Sequence, residues 1–439
     1  MKVAMVTPMT PESAIADVML QAVPYLIEKG WDLEIWCQNA PALRPSPVRV
    51  LPIQAIDETT VAALRRYDLV VYVLGNSPLH SQIMELARLV PGLVVLHDAS
   101  ITDMVLLSAG QAGERAALAA LAGAVYGDEV AEKVRRPSNT DPGAWMRFCA
   151  DVPLTEWATE HAIGAVVHSQ WHAARIDGTL IGDVTVAPLP IPSARVGFDD
   201  SQNHELGTLL SELPPDAILV VTVGHVNANR GLDVLLQAVA GDEKLRQVHV
   251  WAVGPNQGPA AATALRQASK LGLASRFAAP GAVGDAELAR VLSRADIAAA
   301  LRDPVIEGQS ASVMTQMLAG RPVIVFDHAH YSELPDDAVV KIDPAAGAPG
   351  IRAAIRNLVK KPRDRERRGE AARRYALTTR SGAAYADALY RAGVLALAAK
   401  PHMQLAQDLA HYVRRLGIET ASVATERMAD ITFELFELG

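Results

Sequence analysis

The stretch Ile297-Ala-Ala-Ala300-Leu-Arg-Asp-Pro-Val-Ile-Glu307-Gly308-Gln309-Ser310-Ala-Ser312-Val-Met-Thr315-Gln-Met-Leu-Ala-Gly320-Arg-Pro-Val323-Ile-Val-Phe326 decides the fold. A short apolar run closes at Ala300, and Gly308-Gln309-Ser310 makes a tight turn. Ser310 suits an N-cap, helical spacing then runs to Ala319, and Gly320 suits the left-handed stop. A second apolar run opens two residues later. Strand, helix and strand within about 30 residues is a βαβ unit, and its short continuous apolar runs suit strands buried on both faces of a parallel sheet.

The same alternation extends in both directions. Apolar runs occur at 218–223, 248–253, 276–279, 297–300, 322–326 and 338–342 in the second half. The first half has them at 3–6, 33–36, 48–53, 69–74, 93–96, 165–167 and 184–187. Each set is enough for a doubly wound α/β sheet. The polar, proline-rich stretch 190–216 separates the sets, which predicts one Rossmann-like domain over 1–192 and another over 193–375. Residues 108–157 lack strand signals and read as a helical insertion on the first domain. Residues 376–439 read as a C-terminal helical segment that packs partly back on the first domain.

Composition narrows the class. Of 439 residues, 50% are hydrophobic and 21% charged, which excludes a disordered chain. Two cysteines cannot make a disulfide framework. The net charge of −8 argues against a broad nucleic-acid surface, so no nucleic-acid partner is expected. The basic run 360–374 carries interleaved acids and reads as a solvated helix face. Peripheral contact with an anionic membrane surface stays open there. The first eight residues end at Pro8 without a cleavage site, and no run of about 18 apolar residues occurs. A cytoplasmic location is the expectation.

Two domains facing a cleft put chemistry in the loops beyond the strand ends. No G-x-G-x-x-G follows the first strand, and there is no P-loop and no Asp-x-Asp pair. His168 and His172 stand four apart, but no third metal ligand is evident, so no metal site is expected. The amides of Gly308, Gln309, Ser310 and Ser312, at a helix start, suit an anion. Glu307 just before them suits sugar hydroxyls. Together they fit a sugar attached to a diphosphate. Gly224-His225-Val226-Asn227-Ala228-Asn229-Arg230 ends another strand, and Arg230 there suits phosphate. In the first half His97 and Asp98 end a strand at the cleft, Asn76 and His80 follow the preceding one, and Ala14 opens the first helix.

These segments together resemble glycosyltransferase family 4, the retaining nucleotide-sugar transferases of GT-B fold, over roughly residues 1–395. The resemblance implies a donor diphosphate held by the C-terminal domain and an acceptor held mainly by the N-terminal one. It implies a retaining hexosyl transfer without a bound metal, in which the departing phosphate takes the acceptor's proton. Glu307 matches the first glutamate of the family's E-x7-E motif, whereas Thr315 stands where the second contacts the ribose. His225 and Arg230 occupy the positions of the basic pair, and Ala14 that of a loop glycine. His97, Glu307 and Arg230 are therefore the expected catalytic groups. Ala14, His225, Asn227, Arg230, Glu307, Gly308, Gln309, Ser310, Ser312 and Thr315 are expected on the donor side, and Asn76, His80 and Asp98 on the acceptor side. No cofactor is expected beyond the nucleotide diphosphate sugar as co-substrate. The acceptor is a saccharide or a small-molecule aglycone, and the oligomeric state is open. The rival readings are a GT-B epimerase or phosphorylase, and a catalytically weakened partner subunit, motivated by Ala14, His225 and Thr315.

Overall fold

The computed structural model describes residues 1–11, 13–138, 140–191, 204–256 and 259–417. The first sheet has seven strands: β1 (Lys2–Val6), β2 (Asp32–Gln38), β3 (Val50–Ile53), β4 (Leu69–Leu74), β5 (Leu93–Leu96), β6 (Gly164–Val167) and β7 (Val184–Val186). Their spatial order is β3-β2-β1-β4-β5-β6-β7. The second sheet has six: β8 (Ile218–Val223), β9 (Val248–Val253), β10 (Phe277–Gly281), β11 (Ile297–Ala300), β12 (Val323–Phe326) and β13 (Val339–Ile342), in the order β10-β9-β8-β11-β12-β13. Every pairing within the two sheets is parallel. Two doubly wound Rossmann-like domains of the GT-B arrangement result, and each strand overlaps one of the apolar runs of the sequence.

Side-chain alternation explains the layers. In β1, Val3 and Met5 enter one core while Ala4 and Val6 enter the core on the opposite face. All six residues of β4 are buried, as a strand covered on both sides requires. The second sheet divides likewise: Val220, Ala299 and Ile324 lie on one face, and Val221, Ala298 and Val325 on the other.

Two features position the cleft. Five helices separate β5 from β6, spanning Thr102–Gln111 to Glu156–Thr159. This insertion starts earlier than its expected beginning at 108, because the Asn76 side chain accepts from Met104 N (3.0 Å) and caps the helix right after β5. The chain then crosses between domains twice. The first crossing, around the expected boundary at 192, lies outside the described residues. At the second, helix Pro362–Thr379 still packs on helix Ala311–Leu318 of the second domain. After Arg380, helix Gly382–Arg415 packs on Ala14–Glu28 and on β5, β6 and β7, burying Tyr385, Leu389 and Ala396 in the first core. The basic run lies on helix Pro362–Thr379, where Asp364 pairs with Arg367 and Arg368. Cys37 and Cys149 are buried free thiols. Among the described residues no helix is long and apolar enough to cross a membrane.

Candidate active site

The carboxyl ends of β5 and β11 meet. Asp98 and Glu307 form an antiparallel bridge between the domains. Gly308 N donates to His97 O (3.0 Å), and Ser100 N to Ile306 O (3.0 Å). Only glycine fits at 308: a Cβ there would stand 2.6 Å from His172 Nδ1 and 2.9 Å from His97 O. Three further contacts close the joint. Ser169 Oγ donates to Gly308 O (2.8 Å). Glu333 accepts from Gln170 N (3.1 Å) and Trp171 N (2.7 Å). Gln309 Oε1 accepts from both Leu189 N (2.8 Å) and Arg380 Nη1 (2.7 Å).

The C-terminal side of the site is charged. Glu307 is buried, with Arg302 Nε 2.7 Å from Oε1 and Tyr331 OH donating to the same oxygen (2.9 Å). His330 Nε2 lies 3.8 Å away. Burial alone would raise the Glu307 carboxyl, but the Arg302 guanidinium, aided by His330, holds it well below the carboxylate range. The buried Oε2 has no hydrogen-bond partner among the described residues. Arg230 is also buried, donating through Nε to His225 O (2.8 Å) and through Nη1 to Val223 O (2.8 Å). Burial, with Arg302 nearby, lowers it to about 9. Gly224, at φ +110°, makes room for this inward turn, since a Cβ would lie 2.2 Å from Arg230 Nη2. His225 is exposed and Asn227 half-buried, with the Asn227 Oδ1 buried and lacking a hydrogen-bond partner. Ser310 Oγ accepts from Val313 N (3.4 Å) and contacts Ser312 Oγ (3.1 Å), while Thr315 Oγ1 donates back to Ala311 O (3.1 Å).

The N-terminal side is built from neutral imidazoles and one carboxyl. His168 Nδ1 pairs with Ala187 O (2.8 Å) and its Nε2 with His97 Nδ1 (3.0 Å). Burial, with neighbouring His168, pushes His97 well below its ordinary value, and burial lowers His168 to about 4. The buried His97 Nε2 has no hydrogen-bond partner among the described residues. Asp98 Oδ2 accepts from Asn76 N (2.7 Å); burial raises this carboxyl to about 6. His80 is buried and donates through Nδ1 to Val73 O (2.9 Å). Ala14 is exposed in the first turn of its helix, behind the Ser13 cap.

The joint thus gathers His97, Asp98, Glu307 and Gly308, while Arg230, Asn76 and Thr315 answer other needs. Three of these groups have partners within the fold. Arg230 faces its own loop, because a buried guanidinium satisfies the carbonyls at hand. The Gly308 amide, expected to face an anion, completes the bridge. The side chain of Asn76 caps a helix. Sequence reading missed Arg302, Tyr331, Glu333 and Arg380, and took His168 as structural or superficial. An arginine two residues past an apolar strand end was the available signal for Arg302. Among the described residues, no cluster of three His, Cys, Asp or Glu side chains is placed to hold a metal. Beside Asn227 a crevice of about 460 Å³ lies between the insertion (Pro142, Met146) and the second domain (Leu232, Ala260, Thr263).

Comparison with known proteins agrees with this architecture. Residues 217–361 match the family model described as glycosyl transferases group 1. Sucrose-phosphate synthase from Thermosynechococcus elongatus is 17% identical, with a TM-score of 0.58 over 89% of this chain and 98% of that one. WaaG, a glycosyltransferase involved in lipopolysaccharide biosynthesis, is 14% identical, with a TM-score of 0.56 over 90% and 99%. HepE of Anabaena, solved with UDP and glucose, is 15% identical, with a TM-score of 0.59 over 89% and 98%. A search of curated proteins finds no match. The glycosyl transferases group 1 match over residues 217–361 lies within a two-domain GT-B fold, and together they support a glycosyltransferase.

Proposed function

We propose that the protein is a retaining glycosyltransferase of family 4 that moves a hexose from a nucleotide diphosphate sugar to an acceptor hydroxyl without a bound metal. The observation that carries this reading is the meeting of His97 and Glu307 at the Asp98–Glu307 bridge, on the strand ends of two domains. Each brings a buried polar atom with no partner, His97 Nε2 and Glu307 Oε2. Glu307 Oε2 is an acceptor, and a hydroxyl-rich sugar supplies the donor it lacks and a hydroxyl for His97 Nε2. HepE, of similar fold, was solved with UDP and glucose, which supports a nucleotide-sugar donor.

In this reading Glu307 orients the sugar and His97 accepts one of its hydroxyls. Arg302 keeps Glu307 ionised. Arg230 and the helix start at Ser310 supply positive potential to the departing diphosphate. Glu307 is tied to Arg302 and Tyr331 rather than set as a nucleophile, and the resemblance to the retaining family supports a front-face displacement with retention. The departing phosphate takes the acceptor proton. Because the two orphan atoms are buried at the joint, the strand ends part at the bridge to admit the donor. The crevice beside Asn227 is the acceptor's place, and its mainly apolar walls favour an acceptor with an apolar part. The cytoplasm, where nucleotide sugars are available, is the proposed location.

The inward turn of Arg230 and the engaged Gly308 amide favour a second reading, a weakened partner subunit. Calorimetry with UDP, GDP, ADP and TDP, followed by product analysis with their sugars, separates the two. A transferase binds one diphosphate and forms a glycoside of unchanged anomeric configuration. A partner subunit binds none and forms nothing.

A further inference from the structure

His97 and His168 meet beside the joint, and a carbonyl contact fixes the direction of their hydrogen bonds. Ala187 O can only accept, so His168 Nδ1 carries the proton of that 2.8 Å bond. A neutral His168 then has a bare Nε2. Its 3.0 Å neighbour, His97 Nδ1, must be the donor. A neutral His97 with its proton on Nδ1 has a bare Nε2 in turn, and that atom is the buried nitrogen without a partner. Both rings are fully or nearly fully buried, which favours their neutral forms.

We propose that His168 is a positioning residue for His97. Through the chain Ala187 O, His168, His97 it locks His97 as the Nδ1–H tautomer, so that Nε2 can only accept a hydrogen bond from a sugar hydroxyl. What His97 holds rests on the function proposed above; the tautomer does not. With the opposite tautomer Nε2 would donate, and His97 would suit a phosphate oxygen instead of a hydroxyl. His168 thus selects the ligand atom without touching it.

Histidine nitrogen NMR on the full-length, free, ¹⁵N-histidine-labelled protein tests this at neutral pH. Signals are assigned by their loss in His97→Gln and His168→Gln proteins. The expected result is Nδ1–H on both rings of the wild type. His168→Phe removes the acceptor and lets His97 populate Nε2–H. His168→Gln offers an amide oxygen to His97 and an amide N–H to Ala187 O, and restores Nδ1–H. With a nucleotide sugar as donor, His168→Phe lowers kcat about 10–100-fold and His168→Gln about threefold, while UDP, GDP, ADP or TDP affinity is unchanged. A wild-type His97 protonated on Nε2, or an unchanged tautomer in His168→Phe, overturns the proposal. Should His168→Phe not fold, the wild-type and His168→Gln spectra still decide. A wild type with the expected tautomers that consumes no nucleotide sugar leaves the relay standing and overturns the proposed function.

Discussion

The two strand ends that meet at the Asp98–Glu307 bridge are built on opposite principles. On the second domain a buried carboxylate is kept ionised by a guanidinium, with a tyrosine hydroxyl as a further donor. On the first, two hydrogen-bonded imidazoles, tilted by 50° to each other, pass a single proton direction from a backbone carbonyl. One side fixes charge and the other fixes a tautomer. Both leave one unpartnered acceptor, so the same preference for a hydroxyl donor arises from charge on one wall and neutrality on the other. The difference also implies different vulnerabilities: the charged side depends on its counter-ion, the neutral side on pH.

The contrast breaks most sharply at Arg302. Arg302→Met leaves Glu307 buried without its counter-ion, and costs about 3–5 kcal/mol in denaturant unfolding. Glu307→Gln keeps the shape, loses the charge and lowers transfer about 10²–10³-fold. If Arg302→Met unfolds like the wild type, the pair is not what holds Glu307.

The neutral side is probed with acid. His80, His168 and His172 have folded values of about 4, 4 and 3, below their ordinary 6.5, so the unfolded chain takes up protons first as pH falls. Their stabilising contribution is complete above about pH 6.5 and is lost as pH falls towards about 4. The loss by pH 4.5 is about 2 kcal/mol for each histidine, read from unfolding curves at pH 7.5 and 4.5. Stability that is flat over this window would mean that these rings are charged in the fold.

Smaller effects sharpen the picture of the joint. Gln309→Ala deprives Leu189 N and Arg380 of their shared acceptor and costs about 1–3 kcal/mol. Asp98 behaves oppositely to the histidines. Its folded value of about 6 lies above the ordinary 3.8, so its stabilising effect is full below about pH 4 and lost as pH rises through 6. Asp98→Asn therefore raises stability at pH 7.5 by about 1 kcal/mol, a modest figure for a partly buried carboxyl, and changes little at pH 4.

Much of this was legible in the sequence. Strands such as Leu69–Leu74 stand out because burial on both faces removes every polar residue. Glu307 stood out because a turn, an N-cap and a helix stop frame it. The pairings were not legible, because they join distant positions. His97 and His168 are 71 residues apart, and only the neighbouring places of β5 and β6 bring them together. Arg230 looked like a phosphate ligand because its inward turn depends on space over Gly224, which no spacing reveals. The partner of the Gly308 amide was not legible either: a helix start looks open until another domain pairs with it.

The central claim is donor-dependent transfer at the joint of His97 and Glu307. The most direct measurement incubates the protein with UDP-, GDP-, ADP- and TDP-sugars, with chelator present, and follows nucleoside diphosphate release beside Glu307→Gln. The account predicts that one donor is consumed, that chelator leaves the rate unchanged, and that Glu307→Gln slows it at least about a hundredfold. Consumption of no donor, or an equal rate in Glu307→Gln, would contradict it.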